Sequence, residues 1–70
     1  MVPLAVIRPG ETCVIQRIGD KTRRFLESLG FVAGSQIAVV TETGGNLIVS
    51  VKDSRLAISR EMASKIMVVC

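Results

Sequence analysis

Phe25-Leu26-Glu27-Ser28-Leu29-Gly30-Phe31-Val32-Ala33-Gly34-Ser35-Gln36-Ile37 packs a helix end, two glycine corners and a strand start into thirteen residues. Leu26 and Leu29, three apart, share one helical face. Gly30 stands where a helix stops in the left-handed conformation that a Cβ disfavours. Gly34-Ser35 then turns the chain into Ile37-Ala38-Val39-Val40-Thr41, whose alternation is that of a half-buried strand.

Upstream, Asp20 is placed to cap a helix over Lys21 to Leu29, its carboxylate accepting from first-turn amides. Phe25, Leu26 and Leu29 form the apolar stripe of that helix. Arg23, Arg24, Glu27 and Ser28 face outward, with Arg23 and Glu27 spaced to pair. Pro9-Gly10 makes a turn, and Glu11 to Ile18 reads as the first long strand, with Cys13 and Ile15 on one side. Downstream, Ile37 to Thr43 and Leu47 to Lys52 flank Gly44-Gly45-Asn46 as a hairpin. Leu47, Val49 and Val51 point inward, which leaves Ile48 exposed. Asp53-Ser54 turns the chain into a short strand, Arg55 to Ile58. Ser59 caps one helical turn from Glu61 to Ser64 or Lys65, and Ile66 to Cys70 closes as a last strand.

Seventy residues allow a single domain, 1–70, with a thin core. With 49% apolar residues and a net charge of +3, part of the apolar surface is expected to remain exposed as a contact face. The nine basic residues are dispersed apart from Lys21, Arg23 and Arg24, and only two aromatics could stack on a base, so nucleic acid is not the expected partner. Met1 to Ile7 is apolar but has no basic leader, and no run approaches a membrane span. The expectation is a cytoplasmic protein that reaches a membrane only through a partner. Cys13 and Cys70 read as two separate thiols, with Cys13 a small buried hydrophobe; a bridge between first and last strands is geometrically open.

Catalytic chemistry finds little to work with. The chain has no histidine, no paired carboxylates, no nucleophile elbow and no phosphate-cradling loop. With two cysteines far apart, a tetrahedral metal site would need carboxylates to complete it. No enzyme activity, resident metal or required cofactor is expected. About five short strands with one lateral helix, and a helical turn before the last strand, make a mainly β, SH3-like barrel. The helix follows the first long strand, which argues against the OB alternative.

In order, Pro3-Leu4, Pro9-Gly10, Leu26-Glu27-Ser28-Leu29-Gly30, Gly34-Ser35-Gln36-Ile37, Arg55-Leu56-Ala57-Ile58 and Glu61 to Ile66 resemble the FeoA family, across essentially the whole chain. Two departures stand out: Ala33 replaces the usual proline of the second corner, and Asp53-Ser54 replaces a common Gly-Tyr. The resemblance implies an SH3-like accessory protein of bacterial ferrous iron uptake, docking on the cytoplasmic part of the permease FeoB. Any link to Fe(II) would be indirect. A similar module ends metal-dependent repressors of the diphtheria-toxin-repressor type, joined there to a DNA-binding domain that 70 residues cannot accommodate.

The working surface is expected on the helix and glycine corners. Arg23, Arg24 and Glu27 would be polar contacts, and Phe25, Phe31 and Ile48 apolar ones. Gly10, Gly30, Gly34, Gly44 and Gly45 would set corners. Ile15, Leu26, Leu29, Ile37, Val39, Val49, Val51, Leu56, Ile58, Ile66 and Val68 would form the core. Two rival readings are a basic barrel binding nucleic acid, which predicts steep salt dependence, and a structural homo-oligomer; the expected state is a monomer or weak homo-oligomer.

Overall fold

Alternation along the chain becomes strands, and the glycine corners set where they turn. A computed structural model describes residues 1–70, the side chain of Thr22 excepted. The strands are β1 (Val2–Pro3), β2 (Thr12–Ile18), β3 (Gln36–Thr43), β4 (Asn46–Val51), β5 (Ser54–Ser59) and β6 (Ile66–Val69). A 3-10 turn covers Leu4–Val6, and the helices are α1 (Asp20–Ser28) and α2 (Arg60–Ala63). All pairings are antiparallel, in the order β1-β6-β2-β3-β4-β5. Near-equal extents of 25 × 23 × 21 Å show that the sheet curls around its core, since a flat sheet would be much thinner in one direction.

The mainly β class with short helices matches the sequence reading, with one more strand than the expected five. Full closure does not occur: β1 and β5 are the two edges and do not pair. Arg60 bridges part of that seam. Its backbone N–H donates to Gly45 O at 3.1 Å, its guanidinium donates to Ala5 O at 3.1 Å, and it pairs with the Glu42 carboxylate. One side chain thus ties the N-terminal turn to the β3–β4 hairpin. Ser59 caps α2, its hydroxyl accepting from Met62 N–H at 3.1 Å.

Sixteen buried apolar side chains form one cluster. They include Ile15, Leu26, Ile37, Val39, Val49, Val51, Ile58, Ile66 and Val68, with Leu56 partly buried against them. Leu4, Ile7, Ile18, Phe31 and Ala63 join them without having been read as core. Ile18 enters because β2 bulges between Ile15 and Arg17. The extra residue breaks the period of two, so Ile15 and Ile18 both face inward although three apart.

Three expectations at α1 are corrected. Gly19, not Asp20, is the N-cap; Asp20 is the first helical residue and makes no capping hydrogen bond. Gly19 N–H donates to Lys65 O at 2.9 Å, which fixes the exit from β2 one residue earlier. The Asp20 carboxylate still sits at the positive end of the helix dipole, and Arg23 leans back toward it at 3.8 Å instead of pairing with Glu27. Leu29 is not core: it is 38% exposed at the C-cap, outside the row that Leu26 buries.

The cysteine reading is also corrected. Val14 pairs with Val69, so antiparallel register sets Cys13 and Cys70 opposite one another, and they form a disulfide. Cys13 is buried, as a small apolar side chain would be.

Val32–Ala33–Gly34–Ser35 is a hydrogen-bonded turn, with Ser35 N–H donating to Val32 O at 3.1 Å and Gly34 at φ 92°. A glycine at positive φ in the third position marks a type II turn, whose second position favours proline. Ala33→Pro is therefore expected to raise stability by about 0.5–1 kcal/mol, by narrowing the unfolded ensemble. A higher urea midpoint with an unchanged slope would show this; a lower midpoint would mean the turn is not of this type.

Candidate functional site

The exposed face of α1 follows from how the helix ends. Gly30 N–H donates to Glu27 O at 3.0 Å and Phe31 N–H to Leu26 O at 2.9 Å, with Gly30 at φ 96°. These two bonds are the Schellman pattern, which turns the chain back so that the residue after the glycine packs on the helix's last inward turn. Here those residues are Phe31 and Leu26, both 0% exposed. Phe31 is therefore not a surface contact, contrary to the sequence reading. The signal was available, since an apolar residue directly after a helix-stopping glycine is the usual partner of the residue five positions earlier.

With Leu26 and Phe31 filling the inner side, Phe25 points outward at 57% exposure. Leu29 lies four residues on, the same side of the helix, and Val32 follows in the loop; both are exposed. Lys21, four residues before Phe25, and Arg24 flank this apolar row, and neither has an ion-pair partner among the described residues. Leu29 and Val32 thus take the apolar places that the sequence reading gave to Phe31 and Ile48. Ile48 is half-buried in the middle of β4, in register with Thr41 and Ala57, and does not share an element with the helix residues.

Arg23 and Glu27 face a different way. With Asp20 they line a polar cleft of about 310 Å³ between α1 and the end of β2, opposite Gln16 and Arg17. The four expected contacts on α1 divide accordingly. Arg24 and Phe25 belong to the apolar-basic face, Arg23 and Glu27 to the cleft.

The five glycines expected at corners (Gly10, Gly30, Gly34, Gly44 and Gly45) all have positive φ. Gly34 also positions α1 against the sheet, its N–H donating to Ile15 O at 2.7 Å. Among the described residues no three of His, Cys, Asp and Glu come together in a way that could hold a metal ion. None of the helices is long and apolar enough to cross a membrane.

Comparison with known proteins gives concordant matches. The family model of the FeoA domain matches residues 2–70. The chain is 39% identical over 70 residues to a protein of Methanocaldococcus jannaschii named "Putative Fe(2+) transport protein A", covering 97% of this chain and 85% of that protein. A crystal structure of an iron uptake regulatory protein, FeoA, superposes with a TM-score of 0.87 at 33% identity, over 97% of this chain and 93% of that one. The zinc complex of Stenotrophomonas maltophilia FeoA, a prokaryotic SH3 domain protein, gives a TM-score of 0.86 at 25% identity, over 97% and 89% of the two chains.

Proposed function

The chain belongs to the FeoA family of ferrous iron transport proteins, and from that premise we propose that it is a non-catalytic accessory subunit that docks on the cytoplasmic part of a FeoB-type iron permease. The observation that carries this reading is the outer row of α1. An aromatic, 57% exposed, stands beside Leu29 and between unpaired cations on the longer of the chain's two α-helices. Exposed aromatics flanked by cations are what interface centres are made of, because ring burial supplies energy and the charges set orientation. Iron is the cargo of the partner, and this chain needs no metal of its own for the role. The protein works from the cytoplasmic side, at the membrane only through its partner.

Pull-down against the permease's isolated cytoplasmic domain tests the reading. The parent chain should be retained, and Phe25→Ala should weaken retention by at least about tenfold, the loss of a central aromatic anchor. Lys21→Glu with Arg24→Glu, the two cations that flank this row, should slow association and weaken binding more at low salt than at high salt. If both variants stay folded and bind as well as the parent, this face is not the interface.

A further inference from the structure

The outer face of the sheet carries a second feature that the docking reading does not use. Register sets Thr12, Ala38, Ser50 and Arg55 in one cross-strand row over β2, β3, β4 and β5. Gln36 and Lys52 come one step beyond the Ile37–Val51 pair, on the same outward parity. Ala38 and Ser50 are short and half-buried, so the surface dips between longer neighbours. The result is an open depression of about 340 Å³, lined by Thr12, Ser35, Gln36, Ala38, Ser50 and Lys52.

Its chemistry is one-sided. Three hydroxyls, an amide and an ammonium group can all donate, and no carboxylate lines the depression. None of these side chains has a hydrogen-bond or ion-pair partner in the protein among the described residues. Arg55 adds a second cation directly opposite Ser50. Two acids adjoin lining residues in sequence, Glu11 beside Thr12 and Asp53 beside Lys52, but neither lines the depression, and Glu42 at the far end of β3 is taken up by Arg60.

Lys52 itself stands in an unusual backbone state. Its φ is 55°, the only positive value at a non-glycine residue among those described. It begins the two-residue β4–β5 turn, Lys52-Asp53, a place that glycine fills without the steric cost of a Cβ. The β3–β4 turn uses Gly44-Gly45 for the same job. A lysine held in a glycine conformation at the lip of a donor-lined depression is a backbone cost that points to use of its side chain.

We infer that this depression binds a small ligand bearing carboxylate or phosphate groups, with Lys52 and Arg55 supplying charge and Thr12, Ser50 and Gln36 supplying directed donors. Its volume lies near the lower end of the range for small-molecule sites, about 300–1,000 Å³. Beside a phosphate or carboxylate group the depression has room for an organic body. The inference is independent of the docking surface on α1.

Amide chemical shifts of the 70-residue chain, titrated with citrate and separately with inorganic phosphate against sodium chloride of matched ionic strength, test this. Saturable shifts should centre on Thr12, Gln36, Ser50 and Lys52, and citrate should bind more tightly than phosphate. The double variant Lys52→Gly with Arg55→Gln removes both charges while relieving the positive φ, so it should remain folded. Its citrate affinity should fall by about tenfold or more, the loss of two charge-assisted contacts. Three results would overturn the inference: no response beyond that of chloride, an unchanged affinity in the double variant, or shifts centred on Lys21 to Arg24. Binding to phosphatidylglycerol vesicles without binding to citrate or phosphate would assign the charge to a membrane surface and also reject the small-ligand site.

Discussion

Replacing Phe31 by alanine is expected to remove about 3–5 kcal/mol of folding stability, the range for a fully buried aromatic truncated in a core that cannot collapse around the gap. For 70 residues, total stability is expected to be about 4–10 kcal/mol. The substitution therefore takes about 30% or more of what holds the domain together. In thermal unfolding the drop should exceed about 12 °C, at roughly 4 °C or more per kcal/mol in a domain of this size. Phe25→Ala is the built-in control: it deletes the same ring from a site 57% exposed and should shift stability by less than about 1 kcal/mol. The two variants also separate folding from docking. Phe31→Ala weakens permease binding only by lowering the folded fraction, whereas Phe25→Ala weakens it in a fully folded chain. If urea unfolds both variants at the same midpoint, the packing of Phe31 on Leu26 does not root α1 as the hydrogen bonds at Gly30 indicate.

The contrast between Phe25 and Phe31 also shows how far a sequence carries this fold. Where glycine carries a positive φ the corner is written plainly, so those at Gly10, Gly30 and Gly34 are legible, as are the β3–β4 hairpin and the Ser59 cap, whereas Lys52 at φ 55° carries no such mark. Period-two alternation gave the inward faces of β3 and β4. It failed at Ile18, where the bulge in β2 inserts a residue that no local pattern announces. Leu4 and Ile7 were opaque for another reason: a 3-10 turn buries them against distant elements, and such burial has no local period. On the candidate surface, the helix itself was legible, but not which of its apolar residues are exposed. Leu29 and Phe31 exchange the roles given to them because the Schellman turn, not helical spacing, governs residues after Leu26. The seam between β1 and β5, with Arg60 across it, depends on contacts between residues 55 positions apart. That arrangement is a property of topology alone.

Sequence distance likewise concealed the bridge between Cys13 and Cys70, and its removal is the second large effect expected. The cysteines lie 57 residues apart, so the bond closes most of the chain into a ring. In the chain-entropy account, a loop of that length restricts the unfolded ensemble by about 4 kcal/mol, while 2–5 kcal/mol is typical for loss of a native bridge in a small domain. Cys70→Ser is the cleaner probe, because Cys70 is exposed whereas Cys13 is buried among apolar side chains. Left alone, the Cys13 thiol remains a small hydrophobe and leaves no cavity. Cys70→Ser, or the parent in excess dithiothreitol, should unfold at markedly lower urea. The urea slope should rise as well, because an unbridged unfolded chain exposes more surface. Along β2 and β6, whose pairing from Val14–Val69 to Ile18–Ile66 does not depend on the bridge, folded-state amide chemical shifts should hardly change beyond the residues next to the cysteines. Equal urea midpoints for oxidised and reduced chains would mean that the unfolded ensemble is not what the bridge restrains. A fall in midpoint with an unchanged slope and a loosened β6 would instead assign its effect to the folded sheet, with the bridge holding β6 onto β2.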